Sequence, residues 1–203
     1  MTTALLVFAG YLAGSLPIGL MLVRVTKGVD IRTLGSGNVG ASNVWRSFGP
    51  AYGLPVALLD AAKGLAPALL AAQIEGPLAG VLAGAAAMLG HWRPLFLGFA
   101  RGGKMVATCG GAFLGVAPFV GLLGAVVWLA VFGLSRYASL ASMVAAVSLP
   151  LLAVGLRQPW PVLAFALFAA AAVIFLHRGN IRRLLAGTES RFGRRRGHSP
   201  GVA

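Results

Sequence analysis

Long apolar segments recur along the whole chain and constrain its fold more than any other feature. Such segments lie near positions 3–23, 51–73, 77–97, 138–156 and 159–177, and a helix of about 20 apolar residues crosses the hydrocarbon core of a bilayer. Only 10% of the 203 residues are charged and the mean hydropathy is +0.86, whereas soluble domains carry roughly 25% charged residues. The sequence therefore predicts an all-α integral membrane protein.

The apolar segment 105–134 is too long for one helix and short for two full ones. Pro118 lies near its middle and is the natural break, because proline removes a backbone donor and interrupts a helix. With two helices here the chain has seven spans, and 15 of its 17 Lys and Arg residues fall on one side. Since basic loops stay in the cytoplasm, we predict seven transmembrane helices with the N-terminus outside and the C-terminus cytoplasmic.

The formal charge of +13 would suggest nucleic-acid binding in a soluble chain. Here the cations flank apolar spans, so they indicate topology and we expect no nucleic-acid partner. The single cysteine excludes an internal disulfide, and no Cys/His cluster has metal-ligand spacing. We expect one polytopic domain over 1–203, without metal or cofactor, whose basic cytoplasmic tail, 178–203, can bind anionic lipid.

The loop after the first span is rich in glycine and small polar side chains. Its glycines allow backbone amides to converge on an anion, its Ser and Asn side chains add neutral donors, and its arginine adds a forked cation. This composition predicts a phosphate site, although a flexible connector has a similar composition. The candidate residues are Gly35, Ser36, Gly37, Asn38, Gly40, Ser42, Asn43 and Arg46.

A second polar segment precedes the apolar segment that begins at position 105. Gly102, Gly103 and Lys104 enter the start of a span, where backbone amides, the helix dipole and an ammonium group can hold an anion, with Thr108 as a further donor. The spacing does not match a nucleotide-binding P-loop. The alternative is an interfacial lysine that reaches the membrane surface.

Two further polar groups lie at predicted span ends. Ser139 and Ser142 follow Arg136 and share one helix face, since they are three residues apart. His177 and Asn180 are likewise one turn apart at the end of the last span. A histidine at a helix C-terminus is more often a cap than a catalyst.

Asp60 and Lys63 form an opposite-charge pair at i, i+3 inside the second span. Charges within a membrane are costly and usually face the protein interior. We predict that this pair braces a nearby site, with His91, Arg136 and Ser139 as further structural residues. Direct contact of the pair with a substrate is the alternative.

Six segments, taken together and in order, resemble the bacterial acyl-phosphate:glycerol-3-phosphate acyltransferase family (PlsY type), over nearly the whole chain. They are DIRTLGSGNVGASNVWR at 30–46, LDAAKG at 59–64, GHWRPLF at 90–96, GGKMVAT at 102–108, SRYASLAS at 135–142 and HRGNIRRLLAGTE at 177–189.

The resemblance implies a seven-helix enzyme of the bacterial inner membrane with its active site at the cytoplasmic face. Such an enzyme moves a fatty acyl group from acyl phosphate to the 1-hydroxyl of sn-glycerol 3-phosphate, giving lysophosphatidic acid and phosphate, the first step of phospholipid synthesis. Its partners would be these two substrates, membrane lipids and, as a candidate, the enzyme that supplies acyl phosphate. The implied catalytic positions are Ser36, Arg46, Lys104, Ser142, His177 and Asn180.

Within that family hypothesis, each group receives a role. Arg46, Ser36 and Ser142 hold glycerol 3-phosphate. Lys104 with Gly102 and Gly103 holds the acyl phosphate, and His177 with Asn180 orients the attacking hydroxyl.

The sequence departs from the family pattern at one point of the second loop. Met105 stands where the family usually has a glycine, and Ala100 and Arg101 add a residue before the glycine pair. If the position of Met105 requires a positive φ, the side chain strains or reshapes the loop. A transporter for an anionic metabolite and an inactive paralogue that binds a phosphorylated metabolite remain the alternatives.

Overall fold

The computed structural model describes residues 1–193, and within that range it is helical and contains no strand. Two short 3-10 helices, Ile31–Thr33 and Leu95–Leu97, lie in the loops. The α-helices are α1 (Thr2–Gly14), α2 (Ile18–Lys27), α3 (Ala41–Phe48), α4 (Pro50–Glu75), α5 (Pro77–Trp92), α6 (Val106–Val116), α7 (Pro118–Ser135), α8 (Ala138–Gly155), α9 (Trp160–Leu176) and α10 (Arg178–Leu185).

The first apolar segment is not the single helix that its hydropathy predicts. It is interrupted between α1 and α2, because Pro17 has no amide hydrogen to continue the helical ladder. The Leu16 carbonyl at this break accepts a hydrogen bond from Lys63 Nζ at 2.9 Å. The span predicted near 3–23 is therefore confirmed as part of the apolar segment Thr2–Lys27, and the structure adds a break within it that the sequence analysis did not predict.

The predicted break in the 105–134 segment is confirmed, since α6 ends at Val116 and α7 begins at Pro118. By length and composition, four segments are able to cross a membrane: Thr2–Lys27, Pro50–Glu75, Pro118–Ser135 and Ala138–Gly155. A fifth is α9 with α10, which are bent by 57° relative to each other. The chain is thus an integral membrane bundle, in which α5, with 16 residues, and α6, with 11, are shorter than α4, α7 and α8.

Helix α6 is held against α4 by close backbone contact. A Cβ atom added to Gly64 would overlap the Thr108 carbonyl, and one added to Gly111 would overlap the Ala61 carbonyl. Small residues at such positions let membrane helices approach closely. This contact fixes the start of α6, which follows Lys104 and Met105 in the chain.

The C-terminal segment folds back onto the bundle, which the sequence did not predict. The Phe192 amide donates to the Arg136 carbonyl at 2.9 Å. The Phe192 ring packs edge-on against Trp45 and Phe132, with centroids 6.0 and 5.2 Å away. Residues 178–193 of the predicted tail therefore belong to the folded unit, whereas its remainder lies outside the described residues.

Candidate active site

A cavity of about 590 Å³ opens at the end of the bundle where the polar loops meet. One end of it is polar and brings together all six implied catalytic residues, from chain positions as distant as Ser36 and Asn180. The other end is apolar and lies between α4, α7 and α8. The polar lining comprises Ser36, Asn38, Ser42, Asn43, Arg46, Asp60, His91, Lys104, Ser139, Ser142, His177, Asn180 and Glu189.

Lys104 and Asn180 are in direct contact across the cavity. Lys104 Nζ donates a hydrogen bond to Asn180 Oδ1 at 2.6 Å. Burial lowers the pKa of the Lys104 ammonium to about 8, and the positive charge of Arg183 lowers it further, while Glu189 opposes this shift. Lys104 is therefore charged at neutral pH, with two of its three donors left for a ligand.

Glu189 organises this corner, and the sequence analysis assigned it no role. Its carboxylate accepts hydrogen bonds from Ser139 Oγ at 2.8 Å, Asn180 Nδ2 at 2.7 Å and Arg183 Nε at 2.7 Å. Burial raises the pKa of the Glu189 carboxyl, but these hydrogen bonds outweigh burial and hold the pKa below its usual value. Glu189 is thus an ionised, hydrogen-bonded carboxylate that orients Asn180 towards Lys104. The signal in the sequence was a lone acid within a basic segment.

The imidazole of His177 is oriented by its own helix. Its Nδ1 lies 2.8 Å from the Val173 carbonyl oxygen. A carbonyl oxygen only accepts, so Nδ1 carries the proton and Nε2 presents a lone pair. His177 caps its helix, as the sequence analysis considered, and also lines the cavity.

Ser142 forms part of the cavity wall. Its hydroxyl donates to the Ala138 carbonyl at 2.7 Å and accepts from Trp128 Nε1 at 3.1 Å. Trp128 in turn stacks on Phe132, with centroids 4.9 Å apart. Because its proton is already donated, Ser142 can act as an acceptor and as support for Trp128. Sequence reasoning missed Trp128, since nothing in its local pattern marks it.

The glycine-rich loop uses its backbone amides internally, which differs from the predicted anion cradle. The Ser36 amide donates to Asn43 Oδ1 at 2.9 Å, and the Gly40 amide donates to Asn38 Oδ1 at 2.9 Å. Gly37 donates to the Leu34 carbonyl. The loop therefore offers side chains to a ligand in place of these amides.

Asn43 shapes this loop and does not serve as an open donor. It is 2% exposed, and its Nδ2 donates to the carbonyls of Ile31, Leu34 and Asn38. Gly35 and Gly37 allow the turn, with φ of 56° and 69°. These three residues build the loop. Asn43 also borders the cavity, beside Ser36, Ser42 and Arg46.

The amides of Gly102 and Gly103 are also already engaged. They donate to the Trp92 and His91 carbonyls at 2.9 and 2.8 Å, so the predicted backbone cradle at these positions is not available to an anion. Thr108 is fully buried and lies outside the cavity lining. The group that this segment presents to the cavity is the side chain of Lys104.

Asp60 and Lys63 form the predicted ion pair, with Lys63 Nζ 2.8 Å from Asp60 Oδ1. His91 Nδ1 lies 3.8 Å from the same oxygen. The His91 ring packs so closely on Gly103 that no Cβ fits between them. The pair therefore links α4 to the break in the first span and to the loop that carries Lys104.

Met105 occupies a left-handed backbone position, with φ of 69° and ψ of −8°. The condition set out for strain at this position is therefore met. Its side chain is 1% exposed and packs in the core with Met88 and Leu176. Lys104, the preceding residue, still reaches Asn180, so the departure leaves the cation in the site. Arg136 is exposed; its backbone carbonyl accepts from the Phe192 amide, and its guanidinium lies beside Gly193.

The fold and the cavity define a class of protein: a membrane-embedded helical bundle whose cavity has cations at one end and apolar walls at the other. Such a cavity suits amphipathic molecules that carry an anionic head. The family profile described as glycerol-3-phosphate acyltransferase matches residues 4–187. The chain belongs to this family, which confirms the resemblance seen in its motifs.

Individual relatives agree with the family assignment. The glycerol-3-phosphate acyltransferase of Roseiflexus sp. is 50% identical over 198 residues, covering 92% of this chain and 94% of the relative. That of Desulforudis audaxviator is 45% identical and covers 95% and 96%.

Two crystal structures of PlsY (YgiH), an integral membrane glycerol 3-phosphate acyltransferase, have the same fold. The glycerol 3-phosphate form superposes with a TM-score of 0.91 and the lysophosphatidic acid form with 0.88. Each is 44% identical and covers 95% of this chain and 96% of the relative.

Proposed function

We propose that this chain transfers a fatty acyl group from acyl phosphate to the 1-hydroxyl of sn-glycerol 3-phosphate, giving lysophosphatidic acid and phosphate. The observation that carries the proposal is the two-ended cavity. Both substrates have a phosphate that suits the cationic end, and the donor has an alkyl chain that suits the apolar end. The solved relatives with glycerol 3-phosphate and lysophosphatidic acid support the acceptor and the product.

The cations at the polar end bind the two phosphates. Arg46, with Ser36, holds the phosphate of glycerol 3-phosphate, because a guanidinium forms paired hydrogen bonds to phosphate oxygens. Ser142, whose proton is donated to the Ala138 carbonyl, instead accepts a hydrogen bond from a glycerol hydroxyl. Lys104 holds the phosphate of the donor. The Glu189 carboxylate keeps Asn180 in place beside Lys104.

The reaction replaces a C–O bond to phosphate by a C–O bond to glycerol. The acceptor hydroxyl attacks the acyl carbonyl carbon, the bond to the phosphate oxygen breaks, and the released inorganic phosphate carries the proton away. His177 Nε2 accepts a hydrogen bond from the attacking hydroxyl and orients it. Since acyl phosphate is a mixed anhydride with a good leaving group, positioning and charge stabilisation supply the rate.

Seven spans with a cytoplasmic site are part of this proposal. The segments that carry Arg46, Lys104, Ser142 and Asn180 meet at one end of the bundle. Between each segment and the next the chain runs along two helices, which are α4 and α5, then α6 and α7, then α8 and α9. That arrangement supports an odd number of crossings, with α6 and α7 as separate ones. The basic loops at the same end support the inner, cytoplasmic side of a bacterial membrane.

The single polytopic domain is likewise proposed for the whole chain, with lipids as its surroundings. The enzyme that makes the acyl phosphate is the partner to test. A transporter is less well supported, because the polar cavity groups collect at one end and the ion pair inside α4 is internally neutralised. An inactive paralogue is less well supported because Lys104 keeps its contact despite Met105.

The test is an assay of detergent-solubilised protein with palmitoyl phosphate and glycerol 3-phosphate. Phosphate release and lysophosphatidate are followed together, and acyl-CoA and acyl carrier protein donors are run in parallel. We expect stoichiometric products from acyl phosphate alone. Folded protein that makes no product with any donor contradicts the proposal, and transfer from a thioester donor alone contradicts the proposed donor.

A matched variant pair separates the site from the loop that carries it. Lys104→Ala is expected to remove most of the turnover. Arg101→Ala removes an exposed cation three residues earlier and is expected to leave turnover unchanged.

A further inference from the structure

The apolar end of the cavity owes its volume to small residues on two neighbouring helices. On α7 and α8 the cavity-lining residues follow helical spacing, so each set forms one stripe. Nearer the polar end the α7 stripe carries large aromatic side chains, Trp128 and Phe132. Further into the membrane both stripes become small, with Gly121, Gly124 and Ala125 on α7 and Ala145 and Ala146 on α8.

Leu149 closes the far end of this space. Its Cδ2 lies 2.9 Å from the point where a Cβ on Gly124 would lie. Leu149 is 6% exposed and belongs to the same buried cluster as Phe113 and Val120. At a rise of about 1.5 Å per residue, Leu149 lies about 10 Å deeper along α8 than Ser142. The apolar end therefore has a fixed depth relative to the polar groups.

One side of the cavity is open where α4 and α7 face each other. Leu58 and Leu129 line the cavity and are 62% and 63% exposed. Exposed leucines on membrane helices face lipid. An alkyl chain can therefore enter from the bilayer and place its end against Leu149.

We infer that Gly124, with Leu149 behind it, limits the length of the acyl chain that the enzyme uses. This inference rests on the proposed function, because it assigns the apolar end of the cavity to the acyl chain of the donor. A chain that ends before Leu149 is fully accommodated. A longer chain must displace the Leu149 side chain or leave through the opening between α4 and α7.

The experiment measures kcat/KM for octanoyl, dodecanoyl and palmitoyl phosphate in the wild type and three variants. Gly124→Leu fills the far end, and we expect the palmitoyl-to-octanoyl ratio to fall about tenfold or more, since pockets discriminate poorly fitting methylenes by such factors. Leu149→Ala deepens the end, and we expect the ratio to rise. Gly133→Leu is the control: it makes the same change on the same helix, where an added Cβ meets no atom within 4 Å.

An unchanged ratio in Gly124→Leu overturns the inference, and so does an equal loss for all three donors. Failure of the wild-type protein to use any acyl phosphate contradicts the proposed function instead. If Gly124→Leu does not fold, Gly124→Ala replaces it, because the contact it creates is with a side-chain methyl group that can rotate away. We then expect a smaller shift in the same direction, and an unchanged ratio overturns the inference.

Discussion

Two groups of charged residues in this chain differ in whether their positive and negative charges balance. Inside α4, Asp60 and Lys63 cancel each other at 2.8 Å. At the polar end of the cavity, Arg46 and Lys104 lie near Glu189, a carboxylate that already accepts three hydrogen bonds. The first group is balanced, and the second has an excess of positive charge.

The difference follows from the cost of burying charge. A charge in a low-dielectric interior must be paired, and removal of one partner costs more than removal of both. At the polar end, Arg46 is more than a third exposed and Lys104 half-buried. Water therefore solvates the excess positive charge when no phosphate is bound. We propose that the balanced charges brace this bundle and that the unbalanced charges bind its ligand.

The largest expected effect is on stability, at the balanced pair. Asp60→Ala leaves Lys63 buried without a counter-charge, which costs about 3–5 kcal/mol of unfolding free energy. Reversible unfolding in mixed detergent measures this loss. The double variant Asp60→Ala/Lys63→Met removes both charges and is expected to recover most of it. A double variant as unstable as the single one would show that charge balance is not the reason.

The next effect is on catalysis, at the unbalanced group. Lys104→Ala removes the cation that we propose stabilises developing charge on the phosphate, and kcat/KM is expected to fall about 10²- to 10³-fold. The thermal midpoint should stay within the error of the wild type, since only one hydrogen bond, to Asn180, is lost. Near-normal turnover in Lys104→Ala, or an equal loss in Arg101→Ala, contradicts the assignment.

The pH dependence sharpens the comparison further. Burial lowers the pKa of Lys104 to about 8, so the charged form is complete well below that pH and disappears as the pH rises through it. We expect kcat/KM to fall along an alkaline limb near pH 8, measured against blanks without enzyme. Lys104→Arg stays protonated and is expected to move the limb upward. An alkaline limb at the same pH in both proteins would assign it to another group.

The smallest effect is expected at the aromatic contact with Arg46. Its guanidinium carbon lies 5.3 Å from the Phe192 ring centroid, and an exposed cation–π contact contributes about 0.5–1 kcal/mol. Phe192→Ala is therefore expected to raise KM for glycerol 3-phosphate about two- to fivefold with little change in kcat. Phe96→Ala, an exposed phenylalanine outside the cavity lining, is the control.

Local chemistry made parts of the fold predictable from sequence. Pro118 marked the break between α6 and α7, and the i, i+3 spacing of Asp60 and Lys63 marked the ion pair. The break at Pro17 was missed because the hydropathy of the first segment continues across it. Hydropathy measures burial in lipid, whereas helix continuity depends on backbone donors.

The candidate site was predictable as a set of residues but not as a set of contacts. The ordered motifs identified Lys104 and Asn180, yet the role of Glu189 depends on a hydrogen bond from Ser139, fifty residues earlier in the chain. The amides of Gly102 and Gly103 were expected to face an anion, but they pair with the end of α5. Such partners are decided by tertiary packing, which spacing along the chain does not encode.

The most direct test of the central claim is calorimetric titration of glycerol 3-phosphate, in parallel with glycerol, into the wild type, Arg46→Ala and Arg101→Ala without donor. If the unbalanced cations bind the substrate phosphate, glycerol 3-phosphate binds the wild type and Arg101→Ala alike. Its affinity should fall about tenfold or more in Arg46→Ala, and glycerol should give no heat of binding. Equal affinity in Arg46→Ala and the wild type, or binding of glycerol as tight as that of its phosphate, would contradict the account.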